Sequence, residues 1–159
     1  NKKTFILNFK KKFFRELKKY KKKHFDYMLF HNAYDLKTEY GLTLLKMIID
    51  LKNKGFIKKI GVSIYDDKEL KIVFSKFNPE LVQFPLNIFD QRMLKSRWLK
   101  ILIKKKILLQ SRSVFLQGAL LKNEFELNKL NFNKKFISKK KDFDNFCKKK
   151  KNIISICMY

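Results

Sequence analysis

Hydrophobic positions along this chain switch between two spacings. From Phe5 to Tyr20 the residues Ile6, Phe9, Phe13, Leu17 and Tyr20 recur every three or four positions, which lines one face of a helix. The short apolar run Tyr27 to Phe30 follows and reads as a strand. A second helical pattern starts near Leu42 and continues through Leu45, Ile48, Ile49 and Leu51, with Gly55 placed where a helix end favours a residue of positive φ. IKKIGVSIY then reads as a strand. Asp66 and Glu69 have the spacing of a capping box and open a helix carrying Leu70, Val73, Phe74 and Phe77. After the turn signal Asn78-Pro79 comes the strand-like run LVQF. Asp90 is the expected cap of a helix whose apolar face is Met93, Leu94, Trp98, Leu99 and Leu102, and ILLQSRSVF supplies another strand. The segment from about Lys134 to Lys150 is helical and strongly charged, and Asn152 to Tyr159 begins a further apolar helix.

Single helices alternating with strands predict βαβ units, hence an α/β fold built on a parallel sheet. The strands are short apolar runs without clean alternation, as parallel strands with both faces covered require. Two architectures satisfy this pattern, the doubly wound sheet and the (β/α)8 barrel. No Gly-rich GxGxxG follows any strand, so the dinucleotide-binding form of the first lacks its main signature. In both architectures functional groups gather beyond the carboxyl ends of the strands. His31, Ser63, Gln83, and Arg112 with Ser113 fall at the ends of four consecutive strands. Any one of them is adequately explained as a solvated loop residue. Four strands delivering polar groups to one end argue for a site.

Charge complicates this reading without overturning it. The formal net charge is +25, which invites an interaction with phosphates. The lysines, however, occur as scattered short runs, and arginine, which grips phosphate bidentately, appears only at Arg15, Arg92, Arg97 and Arg112. Lys, Asn, Ile, Phe and Tyr make up over half the chain, a bias that accounts for the basicity through composition alone. With 45% hydrophobic residues the chain is too apolar to be disordered. Cys147 and Cys157 are too few for a disulfide framework and no Cys/His spacing fits a metal, so reduced thiols and no metal are expected. No apolar stretch reaches membrane-spanning length and no signal peptide is visible at the N-terminus, so a cytoplasmic protein is expected.

Four segments in order, FDYMLFHN, LKNKGFIKKIGVSIYDDKEL, ELVQFPLNIFDQRML and SRSVFLQGALL, resemble strands four to seven of the aldo-keto reductases with their intervening helices. The resemblance implies a partial (β/α)8 TIM barrel and hydride transfer from NADP(H) or NAD(H) to a small carbonyl substrate, an aldehyde or ketone. His31 matches the family's active-site histidine, which hydrogen-bonds the substrate carbonyl. Ser63 and Gln83 match positions that bind the nicotinamide carboxamide. Arg112 stands where many members place an aromatic that stacks on the nicotinamide, a role open to a guanidinium plane. Ser113, with the backbone amides of Leu116 and Gly118, falls in the loop that approaches the cofactor pyrophosphate. Ala33 and Ile64 depart from the common Pro and Asn.

The Asp, Tyr and Lys that complete the family's tetrad have no match here, and Tyr27, Tyr34 and Tyr65 do not stand at the acid position. The chain begins at Asn1 and stops within the run NIISICMY, so residues 1–159 are expected to be an incomplete domain lacking the first three strands and the last, inactive by itself. A second reading is a basic α/β module whose lysines contact RNA or an anionic surface. A third is a different barrel enzyme that shares only the architecture. The first reading expects no specific nucleic acid, no membrane and no obligate protein partner.

Overall fold

A computed structural model describes residues 1–150. The apolar helix expected over Asn152 to Tyr159, with Cys157, lies outside the described residues. The chain divides into two compact units, Asn1–Phe84 with Arg92–Gln110, and Pro85–Gln91 with the chain from Ser111 onward.

In the first unit, α1 (Lys2–Lys19) buries Phe13 and Leu17, the residues that the three-and-four spacing placed on its inner face. Phe13 meets Phe25 edge-on at 5.4 Å between ring centroids, which docks the helix at the start of β1 (Phe25–Phe30). α2 (Glu39–Asn53) buries Leu45, Ile48 and Leu51 and packs on β2 (Ile57–Ser63). Gly55, just past its end, has φ +80°, the left-handed conformation expected there.

The short helix α3 (Glu69–Phe74) starts later than the Asp66 signal implies. Only half of the capping box forms. Glu69 Oε1 accepts from the N–H groups of Tyr65 and Asp66, each at 3.0 Å, while the Asp66 carboxylate turns to the Lys68 N–H at 2.8 Å. Leu70 and Val73 are buried as expected, and Phe77 falls beyond the helix. β3 (Leu81–Pro85) follows.

Asp90 does not cap the next helix, contrary to the pattern. A 3-10 turn covers Arg92–Lys95, and α4 (Arg97–Lys104) is capped by Ser96, whose hydroxyl accepts from the Trp98 N–H at 3.0 Å. The Ser96 hydroxyl in turn donates to Asp67. Trp98 stacks on Phe74 at 5.3 Å, joining α4 to α3.

The sheet runs β1-β2-β3-β4 in chain order, with β4 at Leu108–Arg112. β1 and β2 are parallel, as are β2 and β3. β4 continues in the same sense, since Leu108 N–H donates to Glu80 O and Leu86 N–H to Arg112 O, both indices rising together. Met28, Phe30, Ile60, Val62, Val82 and Phe84 share one face, all but Met28 buried. β4 stops at Arg112, short of the expected ILLQSRSVF, because Ser113 takes φ +57° and leaves the extended region.

In the second unit, α5 (Glu124–Lys129) is closed by a complete capping box between Asn123 and Glu126. The long α6 (Lys134–Lys150) agrees with the charged helical pattern. Ala119, Leu127 and Ile137 form one buried cluster, and Leu120, Phe143 and Cys147 another. No described helix is long and apolar enough to cross a membrane.

Candidate functional site

Parallel register decides which side chains meet. Phe30 stands opposite Val62, and Ser63 opposite Gln83. His31 follows Phe30 and Ser63 follows Val62, so three of the expected residues occupy one level at the carboxyl end of the first unit's strands. His31 is exposed where the chain leaves β1, ahead of a 3-10 turn over Ala33–Lys37 whose Tyr34 N–H is capped by the Asn32 side chain at 3.0 Å. Ser63 is 2% exposed and its hydroxyl donates to Gln83 Oε1 at 3.0 Å. Gln83 Nε2 donates in turn to Gln110 Oε1 at 2.9 Å. Gln110 was invisible as a candidate in the sequence, because only the register of β4 against β3 reveals its neighbour.

Strand spacing is tight beneath this group. A Cβ built on Gly61 would lie 2.5 Å from the Leu81 carbonyl oxygen. Only glycine lets β2 and β3 approach this closely two residues below Ser63 and Gln83.

The second unit holds the remaining candidates. Arg112 Nη1 donates to Ser113 Oγ at 3.4 Å, a long contact between chain neighbours. Asn87, 7% exposed, fixes their loop: its Nδ2 donates to Ser113 O at 3.1 Å, and its Oδ1 accepts from the Phe89 and Asp90 N–H groups at 2.9 Å. Sequence reading passed over Asn87, whose part in the loop shows only in these three hydrogen bonds.

The loop after Ser113 is tightly turned. Leu116 N–H donates to Ser113 O and Gly118 N–H to Phe115 O, each at 2.9 Å. Ser113, Leu116, Gln117 and Gly118 all have positive φ, the coiling that closes these two hydrogen bonds. The amides of Leu116 and Gly118 thus bond within the turn.

Solved structures similar to this chain share its fold. One is Gox0644 in its apo form, at 22% identity and TM-score 0.53, with 76% of this chain and 45% of that chain covered. A glycerol dehydrogenase from Gluconobacter oxydans matches at 19% and 0.52, covering 72% of this chain and 34% of that one. An aldo-keto reductase of the silkworm Bombyx mori, solved with NADPH, matches at 17% and 0.54, covering 69% and 35%. The chain thus spans less than half the length of each. Comparison with curated protein sequences gives no match. Residues 7–157 match the family model described as Aldo/keto reductase family, and the chain belongs to that family.

Proposed function

We propose that this chain carries the nicotinamide-facing part of an NAD(P)H-dependent carbonyl reductase site. The observation that carries the reading is the Ser63–Gln83 hydrogen bond at the carboxyl end of the sheet, level with His31, in a chain of this family. A hydroxyl and a primary amide fit a carboxamide, whose C=O accepts and whose NH2 donates. The bound nicotinamide supplies hydride. Ser63 and Gln83 fix which face of the ring is presented, and His31 hydrogen-bonds the carbonyl oxygen that gains charge. The similarity to a reductase solved with NADPH supports the cofactor class. A small aldehyde or ketone is the substrate class the family implies. The basic binding module is not favoured by these findings.

Arg112 contributes a guanidinium plane for stacking and Ser113 a hydroxyl toward the phosphates, each a separate proposal within the second unit. Leu116 and Gly118 serve the pyrophosphate only if their turn opens. No tyrosine of this chain matches the acid position, so binding without turnover is expected from this chain by itself. Fluorescence titration with NADPH tests the reading. Gln83→Leu is expected to weaken binding by roughly tenfold, the worth of about one to two hydrogen bonds. Equal NADPH affinity in both proteins would refute the carboxamide assignment. NADPH consumption with 4-nitrobenzaldehyde above that of His31→Ala would show an acid not identified here.

A further inference from the structure

Backbone pairing between the end of β4 and the segment after β3 reaches Leu86, whose N–H donates to Arg112 O at 3.1 Å. One residue on, the Asn87 side chain takes over and bonds Ser113 O at 3.1 Å. Its direction is settled. Oδ1 accepts from the Phe89 and Asp90 N–H groups, which can only donate, so Nδ2 must face the other way, onto a carbonyl that can only accept. The residue is also held at its base, because Asn87 N–H donates to Asp90 O and Asp90 N–H to Asn87 O, each at 3.1 Å, and it is buried.

The Ser113 carbonyl receives a second bond, from the Leu116 N–H at 2.9 Å, which uses both of its lone pairs. Two donors on one oxygen fix the peptide plane that leaves Ser113. That plane begins a turn in which Ser113, Leu116 and Gln117, none of them glycine, hold φ of +57°, +47° and +54°. Residues with side chains stay in this region only where their surroundings enforce it. Asn87, anchored outside the turn, is part of that enforcement.

We propose that Asn87 is a positioning residue that seats the Ser113 carbonyl, and with it the turn as far as Gly118, and so sets where the Ser113 hydroxyl meets the phosphates of a dinucleotide. The phosphate part of this inference rests on the reading of Ser113 given above. The seating of the turn stands apart from it.

The test compares the full chain with Asn87→Asp, which keeps the acceptor for Phe89 and Asp90 but loses the donor, and with Asn87→Leu, which loses both and adds no charge. Labelling glycine with 15N gives one amide signal each for Gly41, Gly55, Gly61 and Gly118, the last assigned by its loss in Gly118→Asn. The Gly118 N–H, bonded to Phe115 O, is expected to exchange with water about threefold to tenfold faster in both variants, the worth of about one hydrogen bond, with the other three glycines unchanged. Wild-type exchange at Gly118 in Asn87→Asp would mean that Asn87 only caps Phe89 and Asp90, and faster exchange at all four glycines would give it a general part in folding. Either result overturns the proposal. Affinity for 2′-phospho-ADP-ribose is expected to fall about threefold to tenfold in both variants. A fall confined to Asn87→Asp would come from its new charge and would refute the placing of Ser113 by Asn87, as would affinity that rises in either variant. A wild-type chain that binds no 2′-phospho-ADP-ribose, with Gly118 responding as expected, would refute the phosphate reading of Ser113 and leave the seating of the turn standing.

Discussion

The Glu80 carboxylate ties together three segments of the first unit. One oxygen accepts from the Ile60 N–H at 3.0 Å and pairs with the Lys52 ammonium, joining α2, β2 and the approach to β3. Desolvation by the surrounding chain raises its pKa, but the hydrogen bonds from Lys52 and Ile60 outweigh it, and the group ends below its ordinary value of 4.5. A carboxyl whose folded pKa is depressed stabilises the fold at pH values above its unfolded pKa, and that gain disappears as pH falls through the folded value. Replacing it by Gln keeps an acceptor for Ile60 and removes the charge. Urea melts of Glu80→Gln at pH 7 should show a small loss, under about 1 kcal/mol, because the pair is partly solvated. As pH is lowered through the folded pKa of Glu80 the difference between the two proteins should shrink away, and a difference unchanged from pH 7 down through the acid range would mean that packing rather than charge is responsible.

Between β2 and β3, geometry is set by an absent side chain. The hypothetical Cβ of Gly61 collides with backbone, which cannot swing away as a flexible side chain would, so Gly61→Ala must force the strands apart. The expected cost is about 1–3 kcal/mol by urea denaturation, with the Ser63–Gln83 bond stretched and NADPH affinity reduced alongside. Wild-type stability in that variant would show that the strands are not clamped at this point. Such lateral closeness marks the limit of what the sequence discloses. Periodicity located α1, α2 and all four strands, and Gly55 announced the end of α2, because these features follow from residues near in sequence. Asp90 misled because its own N–H and that of Phe89 are drawn to the Asn87 side chain, leaving Ser96 to begin α4. α5 escaped notice although Asn123 and Glu126 spell its cap, since Leu127 is its one buried residue and no apolar stripe forms. Positive φ at Leu116 and Gln117, residues that ordinarily avoid it, hid the tight turn after Ser113. His31, Ser63 and Gln83 were legible as strand-end groups, whereas Gln110 required the register.

For the whole molecule, the balance between charge and exposed strand decides how copies behave toward each other. β4 is an outer strand of the sheet among the described residues, and its Leu108 and Leu109 are 39% and 37% exposed. An edge of this kind offers N–H and C=O groups to a strand of another chain. Lys104, Lys105 and Lys106 stand just before it, exposed, in a chain of net charge +25. Like charges beside an apolar strand act as gatekeepers, and they act through a field that salt screens. The Debye length falls from about 30 Å at 0.01 M to about 10 Å at 0.1 M, so repulsion between approaching edges reaches much less far at the higher salt. Light scattering should therefore find single chains at the low salt and larger species at the high salt. Leu109→Lys places a charge on the strand itself, where screening protects less against burial than against approach, and should keep the chain monomeric at both concentrations. Wild-type chains that stay single at both salts would show that the edge is already protected, and association in Leu109→Lys equal to wild type would move the contact elsewhere than β4.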